Sequence, residues 1–521
     1  MRKRAAFAAV FIGAVGVGAG VGVWAWANPG DTGTWQENSN SAASDNTETQ
    51  SQMPPVIPAV RSYTPASGLG WRPEQGDRVV VGDPELADEG RLIASELGLK
   101  YVGQKSDARL GDLRLTLRDT DKNPESYTVT VHGGRVEISA PTAKGAFYGT
   151  RTLKQEVHGG GIAPEGVVHD EPAKPIRGFM LDIARKPYSE AWIEERIREL
   201  GDLKYNELDL HFSDDQAFRI ESTTHPETVS QVHLTKVQVK RIVDLAASRH
   251  ITVVPELDSP GHLGAVLAAH PELQLRNANG VVTKGAIDIS NPASAKLIDD
   301  LMNEFADLFP GSQWNLGGDE YRALTVSDPQ TSYPKVATAA RQKYGPDAIV
   351  ADVTTSWLNE RAATVRAHHK TVRAWNDGFF RVTSIKPAQD LQVGYWTGKE
   401  FGAREPVNYL DAGRKVINYN DEYLYYVLGQ PQTFMYPTGQ RIYEQWTPRV
   451  LRGTTAVSAN YDKQILGGAF AVWSDFPNAQ TEAQVAAGIR MPLRATAQKL
   501  WNPGKPAMSW AAFKKLADHL S

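Results

Sequence analysis

Between residue 173 and the C-terminus, eight short apolar segments recur, most of them separated by amphipathic helical stretches. They are Ile176 to Asp182, Glu207 to Ser213, Ile251 to Leu257, Trp314 to Gly318, Thr371 to Trp375, Leu391 to Trp396, Lys415 to Tyr419 and Ile465 to Trp473. Helical periodicity fills intervals such as Ser189 to Leu203, Val237 to Ser248 and Ser294 to Phe309. Strands that alternate with helices run parallel, and eight such units imply a closed (β/α)₈ barrel. The expectation is therefore an α/β fold of the TIM-barrel type over residues 173–521. Acids and tryptophans gather at the ends of these strands, where barrel enzymes build their sites. Examples are Asp182, Asp214-Asp215, Glu256, Asp319-Glu320, Trp375, Trp396, Asp421 and Trp473.

The fourth segment is the most informative of the eight. Trp314-Asn315-Leu316 runs into Gly317-Gly318 and then into the adjacent acids Asp319-Glu320. Neighbouring side chains on a regular strand point to opposite faces. The two acids can serve one site only where the strand stops and the backbone turns, and the glycines leave room for that turn. Two such close carboxylates should also separate in proton affinity, giving a proton donor beside an anion. Cleavage of a glycosidic bond needs that pairing.

The rest of the chain bounds the reading. A net charge of -4 with no long basic run argues against nucleic acid as a partner. With no cysteine, neither disulfides nor thiolate metal sites exist. Arg2-Lys3-Arg4, the apolar Ala5 to Ala27 and Ala25-Trp26-Ala27 read as a signal peptide over residues 1–27 or as an uncleaved membrane anchor. Either way the body is expected outside the cytoplasm, secreted or held at the cell surface. Residues 28–60 are polar and proline-containing, and are expected to form a disordered linker. Residues 61–172 read as a small α+β domain, with strand candidates at Arg78 to Val81, Leu113 to Leu117, Tyr127 to Val131 and Val136 to Ser139. Helices are expected over Glu85 to Leu97 and Thr142 to Val157.

Three motifs in order carry a family resemblance: Leu210-His211-Phe212-Ser213-Asp214-Asp215-Gln216, Pro255-Glu256-Leu257-Asp258-Ser259-Pro260-Gly261-His262, and Gly317-Gly318-Asp319-Glu320. Together they resemble glycoside hydrolase family 20, the β-N-acetylhexosaminidases, including the small domain before the barrel. The resemblance implies retaining, substrate-assisted hydrolysis of a terminal β-linked N-acetylhexosamine on an oligosaccharide or glycoconjugate. Glu320 would be the general acid/base. Asp319 would orient the substrate's acetamido group, whose oxygen attacks the anomeric carbon, and Tyr423 would hold that oxygen. Arg177 would bind ring hydroxyls, Trp375, Trp396 and Trp473 would wall the pocket, and Asp215 with His262 would support the general acid. Tyr425 and Asp475 stand where the family usually has Asp and Glu reading the outer hydroxyls. No metal or other cofactor is implied.

These departures, with Val416-Ile417-Asn418-Tyr419-Asn420, are similar to the branch holding dispersin-type poly-N-acetylglucosaminidases and lacto-N-biosidases. A plain exo-acting hexosaminidase is the first expectation, and release of a larger unit is its alternative. Two readings compete from outside this mechanism. One is an ordinary retaining glycosidase with Asp421 or Glu422 as nucleophile, and the other is a non-catalytic carbohydrate-binding protein.

Overall fold

A computed structural model describes residues 51–105, 108–118, 122–379, 381–399 and 402–520. The expected export segment, residues 1–27, and most of the expected linker lie outside the described residues. No described helix is long and apolar enough to cross a membrane. Residues 51–60 depart from the linker expectation. Val56, Ile57 and Val60 are buried, and the Ile57 amide donates to Gln155 Oε1 at 2.7 Å. Three apolar side chains in a polar context were enough to seat this segment on the folded body.

The first sheet has seven strands: β1 (Ser62–Pro65), β2 (Arg78–Val81), β3 (Lys100–Gln104), β4 (Leu113–Leu117), β5 (Tyr127–His132), β6 (Arg135–Ala140) and β7 (Gly166–Asp170). Their order is β1-β7-β5-β6-β4-β2-β3. The helices Ala87–Leu97 and Ala143–Gly160 cover one face of it. β1, β3 and β7 are absent from the sequence reading. β1 and β3 are the sheet's half-exposed edges, and neither carries a full apolar alternation.

The barrel follows, with β8 (Ile176–Asp182), β9 (Glu207–His211) and β10 (Thr252–Glu256), then a hairpin of β11 (Gln274–Arg276) and β12 (Val282–Ile287). It continues through β13 (Gln313–Asn315), β14 (Thr371–Trp375), β15 (Gln392–Tyr395) and β16 (Val416–Asn418). A short β17 (Tyr425–Val427) precedes the last strand, β18 (Ile465–Trp473). Each of the eight expected segments holds one barrel strand. All pair in parallel, and β18 closes the ring by pairing with both β16 and β8. β17 adds to the upper end of β18, opposite Ala471 to Trp473. The expected helices are Glu190–Asp202, Lys236–Ala247 and Pro292–Leu308, capped by Ser189, Thr235 and Asn291. Each cap oxygen accepts an otherwise unpaired first-turn N–H.

Arg177 corrects the sequence reading. It lies near the start of β8, at the end of the barrel opposite the acids, and is 1% exposed. Its guanidinium donates to Glu125 Oε2 at 2.7 Å, to the Tyr148 hydroxyl at 3.0 Å, and to the carbonyls of Lys174 and Lys204 at 2.8 Å each. An arginine that opens a strand cannot reach a ligand at the strand's other end. This one fastens the first domain to the barrel floor. Removing one member of a buried ion pair strands the other, at a cost of about 3–5 kcal/mol. Glu125→Gln should therefore lower the thermal and urea midpoints clearly, while kcat of the folded fraction stays at the wild-type value.

Candidate active site

The turn after β13 sets the geometry. Gly317, Gly318 and Glu320 all have positive φ, at 67°, 95° and 49°. A Cβ on Gly317 would lie 1.9 Å from Asp258 Oδ1, so only glycine fits there. Asp258 Oδ1 accepts from the Gly318 amide at 2.7 Å, and Asp377 Oδ2 accepts from the Glu320 amide at 2.6 Å. Two buried carboxyls from neighbouring strand ends thus hold the turn that turns both acids toward one cleft. Glu320 pays in strain for its left-handed backbone, a position rarely occupied by a residue with a Cβ.

The cleft above this turn has a volume of about 260 Å³, and its lining includes Arg185, His262, Asp319, Glu320, Trp396, Tyr425, Trp473 and Asp475. The Trp396 ring lies parallel to Tyr425, with centroids 5.7 Å apart. Its Nε1 donates to Asp377 Oδ1 at 3.0 Å. Trp375 sits deeper, its Nε1 donating to Glu256 Oε1 at 2.8 Å and its ring tilted against Trp473 at 6.2 Å. It supports the wall from below. Asp319 is buried, and its Oδ1 has no hydrogen-bond partner among the described residues.

His262, also at positive φ, links the acids. Its Nδ1 lies 3.2 Å from Asp214 Oδ1, while its Nε2 lies 3.3 Å from Glu320 Oε2 and 3.5 Å from Asp319 Oδ2. Burial opposes a charge on this ring, but Asp214 and Asp319 outweigh it and raise its pKa well above the usual imidazole value. Burial likewise opposes ionisation of Asp214, yet His262, His211 and Arg185 hold that carboxyl well below its ordinary range. The hydrogen bond from His262 lowers Glu320 against the effect of its own burial. The expectation of a proton-holding acid at Glu320 is not met, because its shift runs downward. Burial and then the Asp319 charge push Asp258 and Asp377 well up.

Two further expected residues occupy other places. Tyr423 is buried in the main core beneath the Arg441 guanidinium, 4.3 Å from its ring centre, and does not line the cleft. Tyr425 takes the cleft position, because β17 lies alongside the upper end of β18. Asp215 Oδ1 accepts from the Gly264 amide at 2.9 Å and lines a separate depression on the other side of Glu320, shared with Asn277, Lys284 and Arg322. The carboxylate behind His262 is Asp214, its sequence neighbour. Two adjacent acids in one motif offered no way to tell which would face the histidine.

Arg185 follows the end of the first barrel strand at the rim but was assigned no role from the sequence. It donates to Asp182 Oδ2 at 3.0 Å, pairs with Asp214 Oδ2 at 2.8 Å, and lies 5.4 Å from the centre of the Trp473 ring. Its position after β8, three residues beyond Asp182, was the available signal. Burial raises Asp475, with Arg185 pulling the other way. Asp421 and Lys399 also line the cleft, paired at 2.8 Å.

The two shifted groups give a pH signature. Asp214, lowered, adds stability that is present above about pH 4 and lost as pH falls through its native value. His262, raised, adds stability that is full below about pH 6.5 and lost as pH rises through its native value. Both contributions coexist between those limits. The drop in thermal midpoint caused by His262→Gln should be largest near pH 5–6 and shrink steadily on the alkaline side. A drop that grows with pH would show that the ring is neutral in the folded protein.

Comparison with known families agrees with this architecture. Residues 175–504 match the model for glycosyl hydrolase family 20, catalytic domain, and residues 53–171 match its domain 2. The chain is 28% identical over 476 residues to a lacto-N-biosidase of Bifidobacterium bifidum, covering 90% of this chain and 41% of that protein. It is 31% identical over 270 residues to a beta-N-acetylhexosaminidase of Cellulomonas fimi, covering 46% of this chain and 54% of that one. It thus spans roughly half or less of the length of each. A mutant Streptomyces plicatus beta-hexosaminidase in complex with its product GlcNAc superposes with a TM-score of 0.72 at 23% identity, covering 90% of this chain and 95% of that one. With family models matching both its halves, the chain belongs to glycoside hydrolase family 20.

Proposed function

We propose that this protein is a retaining β-N-acetylhexosaminidase that removes terminal β-linked N-acetylglucosamine or N-acetylgalactosamine by substrate-assisted catalysis. The observation that carries the reading is the buried Asp319 carboxyl facing a tryptophan-walled cleft beside Glu320. A carboxyl oxygen at the floor of such a cleft can accept a hydrogen bond from a ligand, and an acetamido N–H is a donor of the right kind. Asp319 would accept from that N–H and so turn the acetamido oxygen toward the anomeric carbon. Attack by that oxygen replaces an enzyme nucleophile, an exception recognised for this family within the two-carboxylate scheme. The positive charge that develops on the cyclised intermediate would fall next to a fixed anion.

Glu320 would protonate the departing glycosidic oxygen and later deprotonate water. As the free carboxylate beside imidazolium it is not yet an acid. A substrate that displaces water and takes up the charge of Asp319 would favour transfer of the proton from His262 to Glu320. Trp396, Tyr425 and Trp473 would pack the sugar's apolar face and the acetamido methyl, while Arg185 and Asp475 would meet the outer hydroxyls. Tyr425, rather than Tyr423, would be the tyrosine close to the acetamido group.

A second reading is favoured by the similarity to a lacto-N-biosidase over 90% of this chain. Tyr425 and Asp475, both departures from the common family residues, line this cleft and would alter what it accepts. Product analysis on chitobiose, lacto-N-tetraose and β-1,6-linked poly-N-acetylglucosamine separates release of one sugar from release of two. If two are released, Tyr425→Asp with Asp475→Glu should shift the product toward single sugars.

The mechanism itself is tested by two neighbouring amides. Glu320→Gln should cut turnover on natural disaccharides by ~10²–10⁴-fold, with a milder loss on substrates whose leaving group is already acidic. Asp319→Asn should cost about 3 kcal/mol in kcat/KM whatever the leaving group, since the anion acts before departure is complete. Full activity of Asp319→Asn on an activated substrate would remove Asp319 from this role.

A further inference from the structure

The tripeptide His-Pro-Glu occurs twice, at His225-Pro226-Glu227 and His270-Pro271-Glu272. Both copies fold alike: each histidine caps a short 3₁₀ turn, with φ and ψ of -132° and 64° at His225 and -126° and 59° at His270. One copy lies in the connection after β9 and the other in the connection after β10, and the two segments pack together. Their side chains converge. His225 Nδ1 lies 2.9 Å and His270 Nε2 3.1 Å from the same oxygen, Glu227 Oε1.

Two imidazoles and one carboxylate meeting at a point are a common donor set for zinc and related divalent ions, with an open fourth position. Bonds of 2.0–2.2 Å in a tetrahedral arrangement put donor atoms roughly 3.4 Å apart. The two histidine–Glu227 distances need to open by only a few tenths of an ångström, and all three donor atoms lie within 4.8 Å of one another. A second, independent feature points the same way. Ligating histidines usually have a carboxylate on the ring nitrogen that faces away from the metal, which fixes the tautomer. Here His225 does: its Nε2 lies 3.4 Å from Asp300 Oδ2, while Glu272 Oε1 is 3.6 Å from His270 Nδ1, beyond hydrogen-bonding distance.

We propose that His225, Glu227 and His270 bind one divalent transition-metal ion of the zinc type, with Asp300 orienting the His225 ring. None of these residues lines the catalytic cleft. The ion would clip the connection after β9 to the one after β10, which also carries His262. Its effect is then on the stability of these two loops and not on the chemical step.

The test uses the full chain and the metal alone. Equilibrium dialysis against zinc chloride, and the visible spectrum with cobalt chloride, should give one equivalent bound and the intense bands of a low-symmetry nitrogen-containing site. The double variant His225→Gln/His270→Gln should lose that equivalent while keeping wild-type kcat on a chromogenic N-acetylglucosaminide. Asp300→Asn, which leaves all three ligands in place, should weaken zinc binding by roughly 10–100-fold. Glu227→Gln keeps the side chain's shape and should weaken it as well. Absence of binding in the wild type would overturn the proposal. So would retention of the equivalent by the double variant, which would assign it to Asp258, His262 and Asp319 in the cleft. Unchanged zinc affinity in Asp300→Asn would also count against it.

Discussion

Asp319 and Glu320 face one cleft because the backbone beneath them abandons the extended conformation over four residues, and that turn is held from two sides by buried carboxyls. Asp258 takes the Gly318 amide and Asp377 takes the Glu320 amide. Burial, and then the neighbouring Asp319 carboxyl, raise both of these acids well above the usual carboxylate range. Asp319 faces the cleft. The left-handed backbone of Glu320 and the missing Cβ of Gly317 both follow from this arrangement.

From that turn, charge alternates outward through the barrel rim. Glu320 and Asp319 meet His262, His262 meets Asp214, and Asp214 meets Arg185 and His211. Asp214 and His211 are buried and would be expensive as lone charges, and each is offset by its neighbours. A chain of this kind poises a proton one hydrogen bond away from Glu320 and transmits the state of one end to the other. The tryptophan wall is tied into the same network, since Trp396 donates to Asp377 and Trp375 to Glu256. The tryptophan wall and the acids beside it are therefore fixed by shared contacts.

The barrel was legible in the sequence because each of its strands is a short apolar run buried on both faces, and such runs stand out against amphipathic helices. The Asp-Glu pair was legible because two glycines announce a turn. What eluded the sequence were choices between near neighbours. Asp214 or Asp215, Tyr423 or Tyr425, and Arg177 or Arg185 differ by one to eight positions, and their roles depend on where each strand ends. β8 begins just before Arg177 and ends before Arg185, which sends one arginine to the floor and the other to the rim. β17 is three residues long and pairs only at the top of β18, too little for periodicity to register. The His225/His270 cluster joins residues far apart in sequence, and only the packing of two loops reveals it.

The central claim is that the substrate's own acetamido oxygen is the nucleophile, with Asp319 as its orienting anion. The most direct measurement is kcat/KM over a series of chromogenic glycosides whose 2-acetamido group carries zero, one, two and three fluorines. Each fluorine makes the carbonyl oxygen a poorer nucleophile while the leaving group stays constant. Rates should fall steeply and monotonically along the series. A flat series, accompanied by a covalent 2-fluoro sugar adduct on Asp421 or Glu422, would contradict the account and assign the nucleophile to the enzyme.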